Sequence, residues 1–105
     1  MLTVNTRKVL KGKIKVNYKS NNEVHYSFEL TAQKTVDIKI AGGTGDVDMY
    51  VKYGSKASKQ NWDCRPYRYG NSETCTFTNV LPGTFYVMLN GYSSFTGVTL
   101  EASTR

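Results

Sequence analysis

VHYSFEL, residues 24–30, alternates apolar and polar side chains in strict order. Every second position is apolar: Val24, Tyr26, Phe28 and Leu30. Successive side chains of an extended strand point to opposite faces, so one face of this segment is apolar and the other is polar. The stretch therefore predicts a β-strand that packs on a core with one face and meets solvent with the other.

The same alternation recurs along the chain. It appears in KIKV (13–16), TVDIKIA (35–41), DVDMYVKY (46–53), ETCTFTN (73–79), TFYVMLN (84–90) and GVTLEAS (97–103). No segment shows the apolar spacing of an amphipathic helix. About seven to eight short strands separated by turn-forming segments predict an all-β fold. We expect an antiparallel β-sandwich of jelly-roll-like kind.

Length and charge limit the class of protein. A chain of 105 residues with 39% hydrophobic residues suits one domain with one core. We expect residues 1–10 to be linker and residues 11–105 to form the sandwich. The net charge of +6 comes partly from lysines near KGKIKV, which is typical of a solvated edge strand. We therefore expect no nucleic-acid partner, and no apolar run is long enough to predict a membrane span.

Cys64 lies within the longest predicted connection, residues 54–72, and Cys75 follows shortly after it. A disulfide is favoured, and it would stabilise the fold by about 3 kcal/mol through the entropy of the unfolded chain. Two buried free thiols remain the alternative. A zinc site lacks ligands, because His25 is the only histidine. Three charged side chains are expected to fix the loop by hydrogen bonds: Asp63, Arg65 and Glu73.

Catalytic and metal sites have little support. His25 lies in the middle of a strand, without a recognisable nucleophile and acid nearby. Asp46 and Asp48 share one face of a strand, and three interpretations stay open. The favoured one is hydrogen bonding to turn amides or arginines. The others are a weak calcium site after the glycine turn and an acid–base pair. We expect no enzymatic activity and no required cofactor, with calcium as an optional ligand.

Aromatic residues provide the strongest functional signal. An exposed array of tyrosines near arginines is typical of a binding surface, because such rings add contact area at small entropic cost. Seven aromatic residues are predicted to contact a substrate: Tyr50, Trp62, Tyr67, Tyr69, Tyr86, Tyr92 and Phe95. The alternative for the loop is that it folds over one sheet and buries Tyr50, Trp62 and Tyr67 in a small second core.

Three stretches carry a resemblance to a known family. They are GGTGDVDMYVKYGSKAS (42–58), WDCRPYRYGNSETCTF (62–77) and LPGTFYVMLNGYSSFTGVTLEAS (81–103). Their motifs and order resemble the bacterial pre-peptidase C-terminal domain, over roughly residues 22 to 103. Met49 replaces the usual leucine and Phe85 the common tyrosine. The stretches NWDCRPYRYGNSETC (61–75) and VMLNGYSSFTGVTLEAS (87–103) are most similar to the terminal domain of Vibrio-type collagenases.

The resemblance implies a non-catalytic accessory domain of a secreted, extracellular bacterial protease, with a zinc metalloprotease or collagenase as the parent. Related domains bind collagen through surface tyrosines, so collagen or a similar insoluble protein is the implied partner, beside the catalytic domain of the same precursor. The alternative is a secretion or maturation domain without a specific ligand. The sequence lacks a signal-peptide pattern at its N-terminus, so a longer secreted precursor is expected. The acidic calcium linker of clostridial relatives is not carried over, because Glu23 is the only acidic residue before residue 24.

Overall fold

Seven strands make up the part of the chain that the computed structural model describes, residues 12–18, 23–66, 72–91 and 94–105. The strands are β1 (Gly12–Tyr18), β2 (Glu23–Leu30), β3 (Lys34–Ala41), β4 (Val47–Tyr53), β5 (Glu73–Val80), β6 (Gly83–Gly91) and β7 (Phe95–Thr104). Each contains or nearly coincides with a stretch predicted from alternation. The predicted linker, residues 1–10, lies outside the described residues.

Two antiparallel sheets form the sandwich. One has the strand order β1-β7-β3-β5 and the other the order β2-β6-β4. Consecutive strands rarely pair, because the chain crosses from one sheet to the other, as in the two Greek keys of a jelly roll. This confirms the predicted all-β sandwich. No helix in the described part of the chain is long and apolar enough to cross a membrane.

The core lies between the two sheets and is built from the inward positions of every described strand after β1. Its centre includes Ile38 and Leu100 from one sheet and Phe85 and Leu89 from the other, all at most 1% exposed. The ring of Phe85 packs edge to face against Phe77 at 5.0 Å between centroids. Truncating such a buried aromatic ring to alanine typically costs about 3–5 kcal/mol, so this layer dominates the stability of the domain.

The glycine turn before β4 packs against the start of β7. Thr44 and Thr96 exchange two backbone hydrogen bonds, at 2.9 and 3.0 Å. Gly45 has a φ of 96°, and a Cβ atom there would overlap the carbonyl oxygen of Ser94. A side chain at this position therefore excludes the turn both by backbone conformation and by space. This contact fixes the direction in which Asp46 enters the sheet.

The predicted disulfide between Cys64 and Cys75 is present, with an S–S distance of 2.08 Å and a Cα–Cα distance of 6.1 Å. Cys75 belongs to β5, an edge strand of the four-stranded sheet. Cys64 pairs with Val51 of β4 by two backbone hydrogen bonds of 2.8 and 3.0 Å. The loop thus extends the three-stranded sheet beyond β4 for a short distance. The disulfide joins the two sheets along this side of the sandwich.

Candidate binding surface

Tyr53, the last residue of β4, holds one end of the sandwich together. Its ring packs edge to face against Phe85 at 4.9 Å between centroids. Its hydroxyl donates to the backbone of the β5–β6 turn, with the carbonyl oxygen of Leu81 at 2.7 Å and that of Pro82 at 3.0 Å. The turn is therefore tied to β4. Sequence alternation alone did not single out Tyr53, because its role depends on which strands are neighbours.

Asp63 ties the cysteine loop to the same end of β4. Its Oδ2 accepts a hydrogen bond of 2.8 Å from the backbone N–H of Tyr53, and its Oδ1 lies 3.1 Å from Nζ of Lys52. The backbone hydrogen bond is the main reason that the pKa of Asp63 lies below its ordinary value, with Lys52 adding to the effect. The neighbouring residue, Trp62, is consequently attached near this end of β4. The predicted role of Asp63 in shaping the loop is confirmed.

Two large apolar side chains are conspicuously exposed among the described residues. Trp62 is 41% exposed and Leu81 is 64% exposed. Trp62 precedes Asp63, whose carboxylate accepts a hydrogen bond from the Tyr53 N–H. The carbonyl oxygen of Leu81 accepts one from the Tyr53 hydroxyl. Both residues therefore lie at the same end of the sandwich. Tyr86, half-buried, faces outward on β6 and is paired in register with Lys52 of β4. We call these three side chains, Trp62, Leu81 and Tyr86, the Trp62 surface.

The cysteine loop covers the outer face of the three-stranded sheet next to this surface. Tyr50, Ala57 and Met88 form a second small core there, with Tyr86 packed at its border. The guanidinium of Arg65 lies over the Tyr50 ring, 5.0 Å from its centroid. Burial is the main reason that the pKa of Tyr50 is raised above its ordinary value. The loop thus buries Tyr50, as one interpretation of the sequence expected, but it leaves Trp62 exposed.

The predicted aromatic array is thus smaller than the sequence suggested. Tyr50 is 4% exposed, and Phe95, the first residue of β7, is 1% exposed. Neither side chain presents a surface to a macromolecule, so we do not keep them as contact residues. The remaining predicted residues, Tyr67, Tyr69 and Tyr92, lie outside the described residues. Leu81 was missed, and its only sequence signal is a leucine within a proline–glycine turn.

The acidic residues before and within β4 lie at the opposite end of that strand. Asp48 is paired in register with Asn90 of β6. The pKa of Asp48 is raised, first by burial and then by the charge of Asp46, while Arg65 opposes this shift. His25 lies apart from these carboxylates in register and contacts Glu23 at 3.4 Å. Across the described residues, no three His, Cys, Asp or Glu side chains are arranged to hold a metal ion.

Comparison with known proteins assigns the chain to a family. The family model of the bacterial pre-peptidase C-terminal domain matches residues 23–91. The chain therefore belongs to this family, as the motifs around the glycine turn and the cysteine loop predicted. This family is a non-catalytic accessory domain that proteases carry.

Relatives of the chain are proteases of more than one catalytic type. The chain is 53% identical to a zinc metalloprotease of Helicobacter pylori over 75% of its own length and 31% of the relative. It is 53% identical to the hemagglutinin/proteinase of Vibrio cholerae, over 75% of this chain and 13% of that one. It is also 38% identical to alkaline serine exoprotease A of Vibrio alginolyticus, over 80% and 16%. The chain thus spans less than a third of the length of each of these relatives.

Solved structures agree with the assignment. The solution structure of vEP C-ter 100 superposes with a TM-score of 0.72 at 42% identity, covering 92% of this chain and 95% of that one. The pre-peptidase C-terminal domain of a collagenase from Bacillus anthracis superposes with a TM-score of 0.69 at 19% identity, covering 99% and 95%. The second comparison shows that the fold is shared.

Proposed function

We propose that this domain docks a secreted protease onto collagen or a similar insoluble protein through the Trp62 surface. The observation that carries the proposal is the exposure of Trp62 and Leu81 at one end of the sandwich, where Tyr53 and Asp63 hold the backbone of both. Exposed tryptophan and tyrosine side chains are frequent energetic centres of protein interfaces. Because the backbone is already fixed, ordering it on binding costs little free energy.

Collagen fits such a surface in shape and chemistry. Its triple helix is a rigid rod that presents proline rings and solvated carbonyl groups, and every third residue is glycine. Aromatic side chains lie against proline-rich segments in other recognition modules because those segments lose little entropy on binding. Docking to a fibre would keep a tethered catalytic domain near its cleavage sites, which raises the effective substrate concentration without new chemistry.

The relatives support a role that is separable from catalysis. A zinc metalloprotease and a serine exoprotease both contain a region similar to this chain, although their catalytic groups differ. A domain that served one catalytic mechanism would not be expected in both. We propose a zinc metalloprotease as the parent of this chain and an extracellular location. The disulfide agrees with that location, because such bonds persist in oxidising compartments.

We propose no cofactor for docking, because aromatic contacts and hydroxyl hydrogen bonds need none. The predicted calcium ligands, Asp46 and Asp48, lie at the other end of β4 from Trp62. We therefore expect docking through Trp62 not to require a metal ion at Asp46 and Asp48.

The burial of Tyr50 and Phe95 favours a second candidate function. With fewer aromatics exposed than the sequence suggested, the domain would assist export or stabilise the precursor and then be removed, without binding a specific ligand. The parent protease, expressed with and without the domain, separates the two functions. Loss of secreted enzyme on deletion supports the export role. Normal secretion with weaker cleavage of insoluble substrate supports docking.

A sedimentation assay on insoluble collagen fibres tests docking directly. The purified domain, Trp62→Ala, Leu81→Ala and the control Thr74→Ala are compared at moderate and high salt, after circular dichroism has shown that each is folded. Thr74 is exposed on β5, away from the Trp62 surface. We expect salt-resistant binding by the wild type and Thr74→Ala and weaker binding by the other two variants. Failure of the folded wild type to sediment with collagen would contradict docking.

A further inference from the structure

Asp46, Asp48 and Asn90 all lie near the start of β4, where this strand pairs with the end of β6. Asp48 of β4 and Asn90 of β6 are direct partners in the antiparallel register. Both alternate away from buried core neighbours, Met49 and Leu89, so they share the outer face of the sheet. Side chains directly opposite each other on one face have Cβ atoms about 4.5–5.5 Å apart. Asp46, two residues before Asp48, contributes a second carboxylate at the end of the glycine turn.

Two oxygen atoms of this group lack an expected partner. Asn90 is only 7% exposed, and its Oδ1 has no hydrogen bond within the described part of the chain. The Oδ1 atom of Asp46 is likewise buried and has no such bond there. A buried acceptor without a partner costs about 1–3 kcal/mol, so native proteins rarely leave one without a bound water or ion. Two such oxygens beside the carboxylate of Asp48 are groups that a bound cation would satisfy.

Arg65 already contributes one positive charge near Asp48, and its guanidinium lies over the Tyr50 ring, 5.0 Å from the ring centroid. A cation bound between Asp46 and Asp48 would add a second positive charge at this place.

We propose that Asp46, Asp48 and Asn90 bind a hard divalent cation, with Ca²⁺ as the ion that fits best. Ca²⁺ takes six to eight oxygen ligands from carboxylates, amide and backbone carbonyls and water, in a flexible geometry. The side chains supply carboxylate and amide oxygens, and backbone carbonyls of the glycine turn and water complete the shell. Mg²⁺ demands near-ideal octahedral geometry, which a turn and two strands provide less readily.

The bound ion would connect the glycine turn to β6. The turn itself is attached to β7 through Thr44 and Thr96, so the ion would link one strand of each sheet at this end of the sandwich. With two carboxylates and a nearby arginine, the affinity should resemble that of extracellular calcium modules, with a Kd of about 10⁻⁴–10⁻³ M. The site would then fill outside the cell and act on stability. This goes beyond docking and does not depend on it.

Terbium luminescence and thermal unfolding test the proposal on the purified domain. Tb³⁺ replaces Ca²⁺ in oxygen sites and is sensitised by nearby tyrosine, and Tyr50 lies two residues from Asp48 on the same face. We expect saturable Tb³⁺ emission that Ca²⁺ displaces at lower concentration than Mg²⁺. We also expect millimolar Ca²⁺ to raise the melting temperature. Absence of both effects in the folded wild type would overturn the proposal.

Three variants with one control locate the site. Asp46→Asn, Asp48→Asn and Asn90→Ala should each weaken Ca²⁺ binding about tenfold or more, since each removes a charged or coordinating oxygen. Asp37→Asn is the matched control, because Asp37 lies on β3 and pairs with Arg105 at 2.8 Å. The control should bind Ca²⁺ as the wild type does. Equal loss in all four variants, or no loss in the three, would contradict this site.

Discussion

Glu73 begins β5 in one sheet, yet its Oε1 accepts a hydrogen bond of 2.9 Å from the backbone N–H of Met49 in the other sheet. Along the same edge of β4, the N–H of Val51 donates to the carbonyl oxygen of Cys64, and that of Tyr53 donates to Asp63. Three alternate N–H groups of β4 are therefore satisfied by residues at the two ends of the disulfide-closed segment. This closes an edge that would otherwise be free to pair with another chain.

Replacing Glu73 by alanine should destabilise the domain. The change leaves the buried N–H of Met49 without an acceptor, and a buried unsatisfied group costs about 1–3 kcal/mol in the free energy of unfolding. Glu73→Gln keeps a side-chain oxygen and should lose less. Urea unfolding followed by circular dichroism measures both. An alanine variant as stable as the wild type would show that the bond does not contribute.

Removing the disulfide should lower stability and loosen the loop. Cys64→Ala with Cys75→Ala is expected to reduce the free energy of unfolding by about 3 kcal/mol, because the unfolded chain gains entropy when the loop opens. Chemical unfolding of the double variant, compared with the oxidised wild type, gives this difference. We also expect faster proteolysis within residues 54–66. Unchanged stability and unchanged proteolysis would mean that the backbone bonds to β4 hold the loop without the disulfide.

Tyr53→Phe should release the β5–β6 turn while leaving the core intact. The variant keeps the ring contact with Phe85 but loses the hydroxyl that bonds to Leu81 and Pro82, at a cost of about 0.5–1.5 kcal/mol. Thermal unfolding measures the loss. Tyr86→Phe is the control, because the described part of the chain shows no hydrogen bond to the Tyr86 hydroxyl. Similar losses in both variants would argue against the Tyr53 bonds.

A second test of this end of the sandwich concerns Gly83. A Cβ atom there would lie 2.5 Å from the Tyr53 hydroxyl and 2.8 Å from its Cζ. Gly83→Ala should therefore displace the Tyr53 ring and destabilise the domain by about 1–3 kcal/mol, as overpacking does. Combined with Tyr53→Ala, the glycine change should cost much less. Equal costs in the two backgrounds, measured by urea unfolding, would contradict the predicted clash.

Acid should weaken the domain through Asp63. Its pKa is lowered in the folded state, so the unfolded state binds more protons as the pH falls. The stabilisation from this carboxylate is thus present above the ordinary carboxyl pKa and is lost as the pH falls below about 4. Asp63→Asn should show a shallower loss of stability in urea titrations over this range. A pH profile parallel to that of the wild type would contradict the assignment.

Asp48 should act in the opposite direction. Because its pKa is raised in the folded state, its ionisation costs stability as the pH rises through that pKa. In metal-free buffer, Asp48→Asn should therefore gain stability relative to the wild type as the pH rises from about 4, the ordinary carboxyl pKa, to neutrality. Urea unfolding with a chelator present measures the gain. A constant difference between the two proteins across this range would contradict the raised pKa.

Alternation located the strands because each described strand after β1 has one face on a single core. Val24 and Phe28 on β2, and Val36 and Ile38 on β3, are buried as the pattern predicted. The family could also be predicted from the sequence motifs, since Gly45 and the two cysteines stand at positions that the fold requires. Strand order was not predictable, because the period of a strand does not identify its neighbours.

Exposure of the outer face was not predictable either. Tyr50 and Met88 alternate away from the main core, but a loop covers that face of the sheet and buries them. Alternation predicts the last strand only from residue 97, whereas β7 starts at Phe95 and directs its side chain inward. Leu81 and Tyr53 gained importance only from the contact between the end of β4 and the β5–β6 turn.

Intrinsic fluorescence gives the most direct measurement of the docking proposal. Trp62 is the only tryptophan of the chain and is 41% exposed, so its emission reports on the Trp62 surface alone. The domain is titrated with a triple-helical peptide of Gly-Pro-Pro repeats, which contains no aromatic residue. We predict a saturable shift of emission to shorter wavelength as the triple helix covers the indole, absent with the same peptide melted into single chains. Emission that stays unchanged at saturating triple-helical peptide would contradict docking through Trp62.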